Sequence, residues 1–181
     1  MRVSYHPGYY VPLPPKHPFP MGKFPALHAR LLGAGLVQEA DVVQPREADW
    51  SDLLLVHSRD YLDKLAAGTQ SRHEERRMGL PWSQALVTRS RRAVQGTMNA
   101  AMMALHDGIA ANLAGGTHHA MPDWGEGFCV LNDVAVTIKA LARAQWLRRA
   151  LVIDLDVHQG NGTAAVFHNC LLYTSDAADE L

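Results

Sequence analysis

A chain of 181 residues with 48% apolar side chains is long enough to bury a core and reads as one domain or part of one. Its 17 basic and 18 acidic residues leave a formal charge of −1, so no global field draws it directly to nucleic acid or to an anionic membrane. The opening MRVSYHPGYY lacks the apolar core of a signal peptide, no run approaches membrane-spanning length, and Cys129 and Cys170 make no disulfide framework, so a soluble protein of the reducing cytoplasm is expected.

In chain order, Arg2–Tyr5 is expected as a short strand. His6–Pro20 carries six of the ten prolines and is expected as an ordered loop whose aromatics, Tyr9, Tyr10 and Phe19, lie against the body and border a pocket mouth. Phe24–Leu32 reads as a helix closed by Gly33 and Gly35. Leu53–Val56 reads as an apolar strand, His57 as a loop residue without a role, and Arg59–Ala67 as a helix ended by Gly68. After a polar connection over Thr69–Met78, Pro81 is expected to open a long helix towards His106. Gly96, Ala100, Ala101 and Ala104 on that helix imply close packing on a sheet, and Met102 and Met103 read as core filler. The arginines at 72, 76, 77, 89, 91 and 92 read as a solvated helix face. Asp107 and Gly108 stop the helix, Ile109–Ala114 is the next strand, and Asn132 or Asp133 caps a helix through about Ala144. Alternating strands and helices predict an α/β fold with three αβα layers and a mainly parallel sheet.

Two stretches concentrate the chemistry. GGTHHA (115–120) places two adjacent histidines after a glycine turn, and neighbouring histidines each bring nitrogens that need partners. It is followed by PDWGEGFC, where Phe128 beside Gly127 walls a channel in the functional reading. LVIDLDVHQGNGT (151–163) is expected to begin as a buried strand and then to place Asp154, Asp156 and His158 at every second position, on one face. A carboxylate and an imidazole two residues apart offer an oxygen and a nitrogen to one metal ion, with zinc the first candidate. Such a pair beside two histidines suits metal-assisted hydrolysis of an amide. Zinc catalysis needs about three protein ligands, and this chain offers two in one place.

GGTHHA, GEGFCVLND and DLDVHQGNGT, with VHSRDYLDKL, YHPGYY and HPFP, together resemble the histone deacetylase family of the arginase/deacetylase fold. The Gln159/Asn161 pairing in HQGNG is similar to class IV and related bacterial members. The resemblance implies that Asp156 and His158 are zinc ligands, His118 and His119 a general acid/base pair, and Gly127 and Phe128 part of an acyl-lysine channel. It also implies that Asp154 hydrogen-bonds His118, that Asn161 faces His119, and that backbone carbonyls around Asp154, Asp156 and His158 hold a structural potassium ion. The expected substrate is an acylated lysine or an acylated small amine. The family's third zinc ligand, another aspartate, and its transition-state tyrosine lie downstream of the positions this chain matches. The resemblance covers 1–168; CLLYTSDAADEL (170–181) departs from it and looks like in-frame translation of a sequencing adapter. The expectation is therefore an incomplete deacetylase domain over 1–169, inactive alone, followed by a non-native tail. A pseudo-deacetylase that binds acyl-lysine without hydrolysis is one alternative. A dinuclear ureohydrolase-type enzyme is another, disfavoured because Gly160 stands where a D-x-H-x-D pattern needs its last carboxylate.

Overall fold

The computed structural model describes residues 1–168. Three short parallel strands form the sheet in the order β2–β1–β3: β1 is Val3–Ser4, β2 Val42–Val43 and β3 Ala111–Asn112. Val3 is in register with Val42 on one side and Ala111 on the other, so β1 is central and both of its residues are buried. Parallel neighbours require crossovers, and helices supply them. α1 (Lys23–Gly33) connects β1 to β2, while α2 (Trp50–Leu53), α3 (Arg59–Ala67), α4 (Arg72–Met78) and α5 (Gln84–Asp107) lie between β2 and β3. α6 (Asp133–Arg143) and α7 (Asn161–Phe167) complete the described helices.

The helix boundaries follow from local chemistry. α1 ends in a Schellman motif: Gly35 takes φ +66°, its N–H reaches the Leu32 carbonyl, and the Leu36 N–H reaches Leu31. Ser58, Ser71, Ser83 and Asn132 cap α3, α4, α5 and α6 through their side-chain oxygens. α5 packs on β1, β3 and α6. At Gly96 a Cβ would fall 2.2 Å from the Tyr9 hydroxyl, which accounts for a glycine in mid-helix. Two apolar clusters result. One gathers Val3, Tyr9, Phe24, Ala93 and Leu113 beside the sheet, and the other gathers Leu53, Tyr61, Leu65, Leu86, Val94 and Leu131 among the helices.

Several expectations are corrected. Leu53–Val56 is not a strand: α2 occupies Trp50–Leu53, and the turn after it closes with Val56 and His57 N–H groups on the Leu53 carbonyl. A short apolar run does not distinguish a buried helical turn from a strand. The Thr69–Met78 connection contains α4, whose Ser71/Glu74 capping box was legible in the sequence. Pro81 precedes α5 rather than opening it, because Ser83 takes the cap. The strand expected over Ile109–Ala114 contracts to β3, with Ile109 exposed. Residues 151–153 form no strand and are not buried; among the described residues no strand pairs with them. Arg89 is buried rather than solvated, with its Nε donating to the Tyr9 carbonyl and its guanidinium over Phe24. Tyr10 and Met102 are exposed, whereas Tyr9 and Met103 are buried as expected.

Candidate active site

The turn after β3 is held by one buried carboxylate. Asp133, at the start of α6, accepts from the backbone N–H groups of Gly116 (3.0 Å) and Thr117 (2.7 Å) and from the hydroxyls of Thr117 and Thr97. A fully buried carboxylate satisfied this way fixes residues 116–117 and therefore the start of the histidine pair. The other end of the turn is fixed by Asn132, whose side-chain Nδ2 donates to the Ala120 carbonyl and to Thr163 Oγ1, each at 3.2 Å.

His57 closes the same network. Its Nε2 accepts from the Asn132 N–H at 3.0 Å, so Nδ1 carries the proton and donates to the Met121 carbonyl, also at 3.0 Å. Burial pushes its pKa down to about 4, leaving it neutral at ordinary pH. His57, expected as a loop residue without a role, instead ties two loops together. Two ring nitrogens each need a partner, but the partners lie 64 and 75 residues away, beyond local pattern.

The residues singled out from sequence lie close together, and His119, Gly127, His158 and Asn161 among them line one cleft. His118 and His119 have ring centroids 4.2 Å apart, and His158 stands 6.0 Å from His119. His118 Nδ1 lies 2.6 Å from Asp154 Oδ2, and His119 Nδ1 lies 2.7 Å from Asn161 Oδ1. The Gly162 N–H also donates to Asn161 Oδ1, which identifies that atom as the amide oxygen and makes His119 Nδ1 a donor. The space beside them, about 460 Å³, is lined by His119, Glu126, Gly127, Val157, His158, Gln159 and Asn161. Gly127 belongs to the lining. The Phe128 ring packs against His17 and Phe19. Glu126 was not singled out from sequence; its carboxylate accepts from Trp124 Nε1 at 2.9 Å.

α7 sets how closely the second stretch approaches the first. A Cβ on Gly162 would fall 2.4 Å from the Ala120 carbonyl oxygen and 2.7 Å from that of His118, so only glycine allows this contact. The Thr163 N–H then donates to the His118 carbonyl at 3.0 Å.

The donor pair Asp156 and His158 is half-formed as a metal centre. His158 Nδ1 lies 3.0 Å from Asp156 Oδ1, and the His158 N–H reaches the same oxygen at 2.8 Å. That backbone N–H is the main cause of a depressed Asp156 carboxyl pKa, with the His158 ring adding to it. His118 Nε2 is 3.9 Å from Asp156 Oδ1. Among the described residues, no group of three or more His, Cys, Asp or Glu is arranged to hold a metal ion. The donor types suit zinc, and the number falls short of a complete zinc site.

The histone deacetylase domain family matches residues 17–175. The chain belongs to the histone deacetylase family. An uncharacterised protein of Picosynechococcus is 47% identical over 92% of this chain and 56% of its own length. The acetoin utilization protein AcuC of Staphylococcus xylosus is 33% identical over 90% of this chain and 43% of its own. The crystal structure of a histone deacetylase homologue from Aquifex aeolicus superposes with a TM-score of 0.74 at 30% identity, covering 92% of this chain and 47% of that one. The fold is therefore the deacetylase type, with three parallel strands and helices matching about half of it. The chain spans about half the length of the curated relatives it matches.

Proposed function

We propose that residues 1–169 are the N-terminal part of a zinc-dependent deacylase that hydrolyses the amide of an acylated lysine or an acylated small amine. The observation that carries this reading is the pairing of His118 and His119 beside one cleft, ring centroids 4.2 Å apart, each with Nδ1 engaged by its own oxygen partner. With Nδ1 of His119 donating to the amide of Asn161, its Nε2 presents a lone pair and is the nitrogen able to take a proton from a nucleophilic water. Asp154 holds the Nδ1–H of His118, so as general acid His118 would enter the step doubly protonated and pass its Nε2 proton to the leaving amine, ending as the neutral imidazole. Gly127 and Phe128 border the path of the acyl chain.

Asp156 and His158 would hold the zinc, with a further donor from outside the described residues. When bound, zinc polarises an acyl carbonyl and acidifies a water. Backbone carbonyls around Asp154, Asp156 and His158 are proposed for a structural potassium ion. Burial pushes the Cys129 thiol up to about 11, which keeps it protonated and out of the chemistry; a cytoplasmic setting is part of this proposal.

The alternative reading is a pseudo-deacetylase that binds acyl-lysine without turnover. A gene product whose frame continues past Asn169 decides between them. The deacylase reading expects one zinc per chain and release of acetate from an acetyl-lysine peptide, both lost in Asp156→Ala. Zinc-free binding of that peptide without turnover would establish the second reading. The 181-residue chain alone is expected to be inactive.

A further inference from the structure

Gly127 meets the cleft as bare backbone: a Cβ there would fall 2.6 Å from Cδ2 of His119. Cleft width at this point therefore depends on where the loop sits, not on a side chain that could rotate away. Gly127 and Phe128 both hold left-handed backbone, φ +56° and +65°, and the latter is costly for a bulky residue and persists only where its surroundings impose it.

The surroundings that impose it lie in the proline-rich segment and at the end of α4. The Phe128 N–H donates to the Met78 carbonyl at 2.8 Å, and its ring covers Gly79, where a Cβ would stand 3.0 Å from Cδ1. Phe19 packs on the same ring with centroids 5.2 Å apart, and His17 adds an edge contact at 6.1 Å. His17 ties the two supports together. Its Nδ1 accepts from the Phe19 N–H at 3.1 Å, so its Nε2 bears the proton and donates to the Gly79 carbonyl at 3.0 Å.

We propose that His17 is a positioning residue for this cleft: by bridging Phe19 to Gly79 it fixes Phe128, and through Phe128 it sets how far Gly127 stands from the space beside His119. The acyl group admitted is then selected by the proline-rich segment, which does not line the cleft itself. The acyl-selectivity part rests on the deacylase reading; the mechanical part does not.

The test begins with the whole 181-residue chain, ¹³C-labelled at phenylalanine and ¹⁵N-labelled, as wild type, His17→Ala and His17→Gln. Losing the Gly79 hydrogen bond in His17→Ala should speed amide exchange at Phe128 by about tenfold and abolish the Phe128–Gly79 nuclear Overhauser contact, with α5 and α6 amides unchanged. His17→Gln, which keeps a donor at similar reach, should restore both. Unchanged Phe128 exchange and contacts in His17→Ala would overturn the clamp. If His17→Ala fails to fold, Phe19→Leu tests the same ring contact: it should shift Phe128 as well as its other ring neighbour Phe24, and an unmoved Phe128 would overturn the clamp. In the longer gene product, His17→Ala should raise octanoyl-lysine over acetyl-lysine hydrolysis by about fivefold through KM, with kcat for acetyl-lysine retained. An equal loss on both substrates overturns the selectivity claim. Absence of any turnover by the wild type overturns the deacylase reading instead and leaves the clamp to the spectroscopic result.

Discussion

The two stretches that meet at the cleft are ordered by different means. Residues 113–120 are held by burial: Leu113, Ala114, Thr117, His118 and Ala120 are almost wholly covered, and Asp133, Asn132 and His57 tie their surroundings from beneath. Residues 151–158 leave Leu151, Ile153, Leu155 and Val157 at 72–85% exposure, and the Asp156 and His158 N–H groups bond to carboxylates within the same stretch. The first stretch would keep its geometry with the second removed. The second takes its alignment from the first, through Asp154 on His118, Asn161 on His119 and Gly162 under Ala120. A catalytic constellation can thus be half scaffold and half docked segment, and the two halves should fail separately.

The most damaging break should be Gly162→Ala. Its methyl would collide with two backbone carbonyls that cannot rotate aside, so α7 should undock at a cost on the order of 3 kcal/mol. Urea unfolding with hydrogen exchange should show 151–168 losing protection while 113–120 keeps it. Acid should act on the buried half in the opposite sense. His57 has a folded pKa of about 4 against 6.5 unfolded, so its contribution is complete above pH 6.5 and is lost as pH falls towards 4, on the order of 3 kcal/mol in all. Urea midpoints at pH 7 and pH 4.5 should differ in the wild type, and His57→Asn should flatten that difference while lowering the midpoint at pH 7. Asp154→Asn removes the charged partner of His118 in a partly exposed setting and should cost about 1 kcal/mol or less. Its effect should appear as faster exchange of the 154–158 amides with His57 shifts unmoved. The smallest effect is expected from Leu155→Thr, at an 85% exposed position, with stability unchanged within about 0.5 kcal/mol. A large loss there would mean that the outward face is covered in solution.

Much of the fold was legible in residues whose local chemistry is self-contained. Gly35, Gly68 and Gly108 mark helix ends, and Ser58 and Asn132 mark starts, because caps act within a few residues. The convergence of His118, His119, Asp154, Asp156, His158 and Asn161 was legible as motif, and the sequence resemblance to deacetylases agrees with the family match. What escaped was long-range. Whether Leu53–Val56 becomes strand or turn depends on which backbone groups find partners, and His57 owes its place to carbonyl and amide groups from another loop. Alternation over 151–158 predicts a buried strand with one polar face, but the stretch forms no strand and Asp156 and His158 are exposed along with Leu155 and Val157, because period alone does not decide whether a neighbour covers a face.

That alternation has a further consequence. A one-residue slip of the docked stretch would set Leu155 against the His118 imidazole and send its carboxylates outwards, so it is excluded by polarity. A two-residue slip is different at one contact: Asp156 would take the place of Asp154 at His118, while His158 would stand where Asp156 was. At the His118 contact itself, side-chain chemistry is blind to that error. What rejects it is the fit downstream, where Gly162 alone can pass beneath Ala120 and the Gly162 N–H presents the Asn161 oxygen to His119. The glycine after the motif acts as its frame marker, counting the residues so that the right aspartate faces the right histidine.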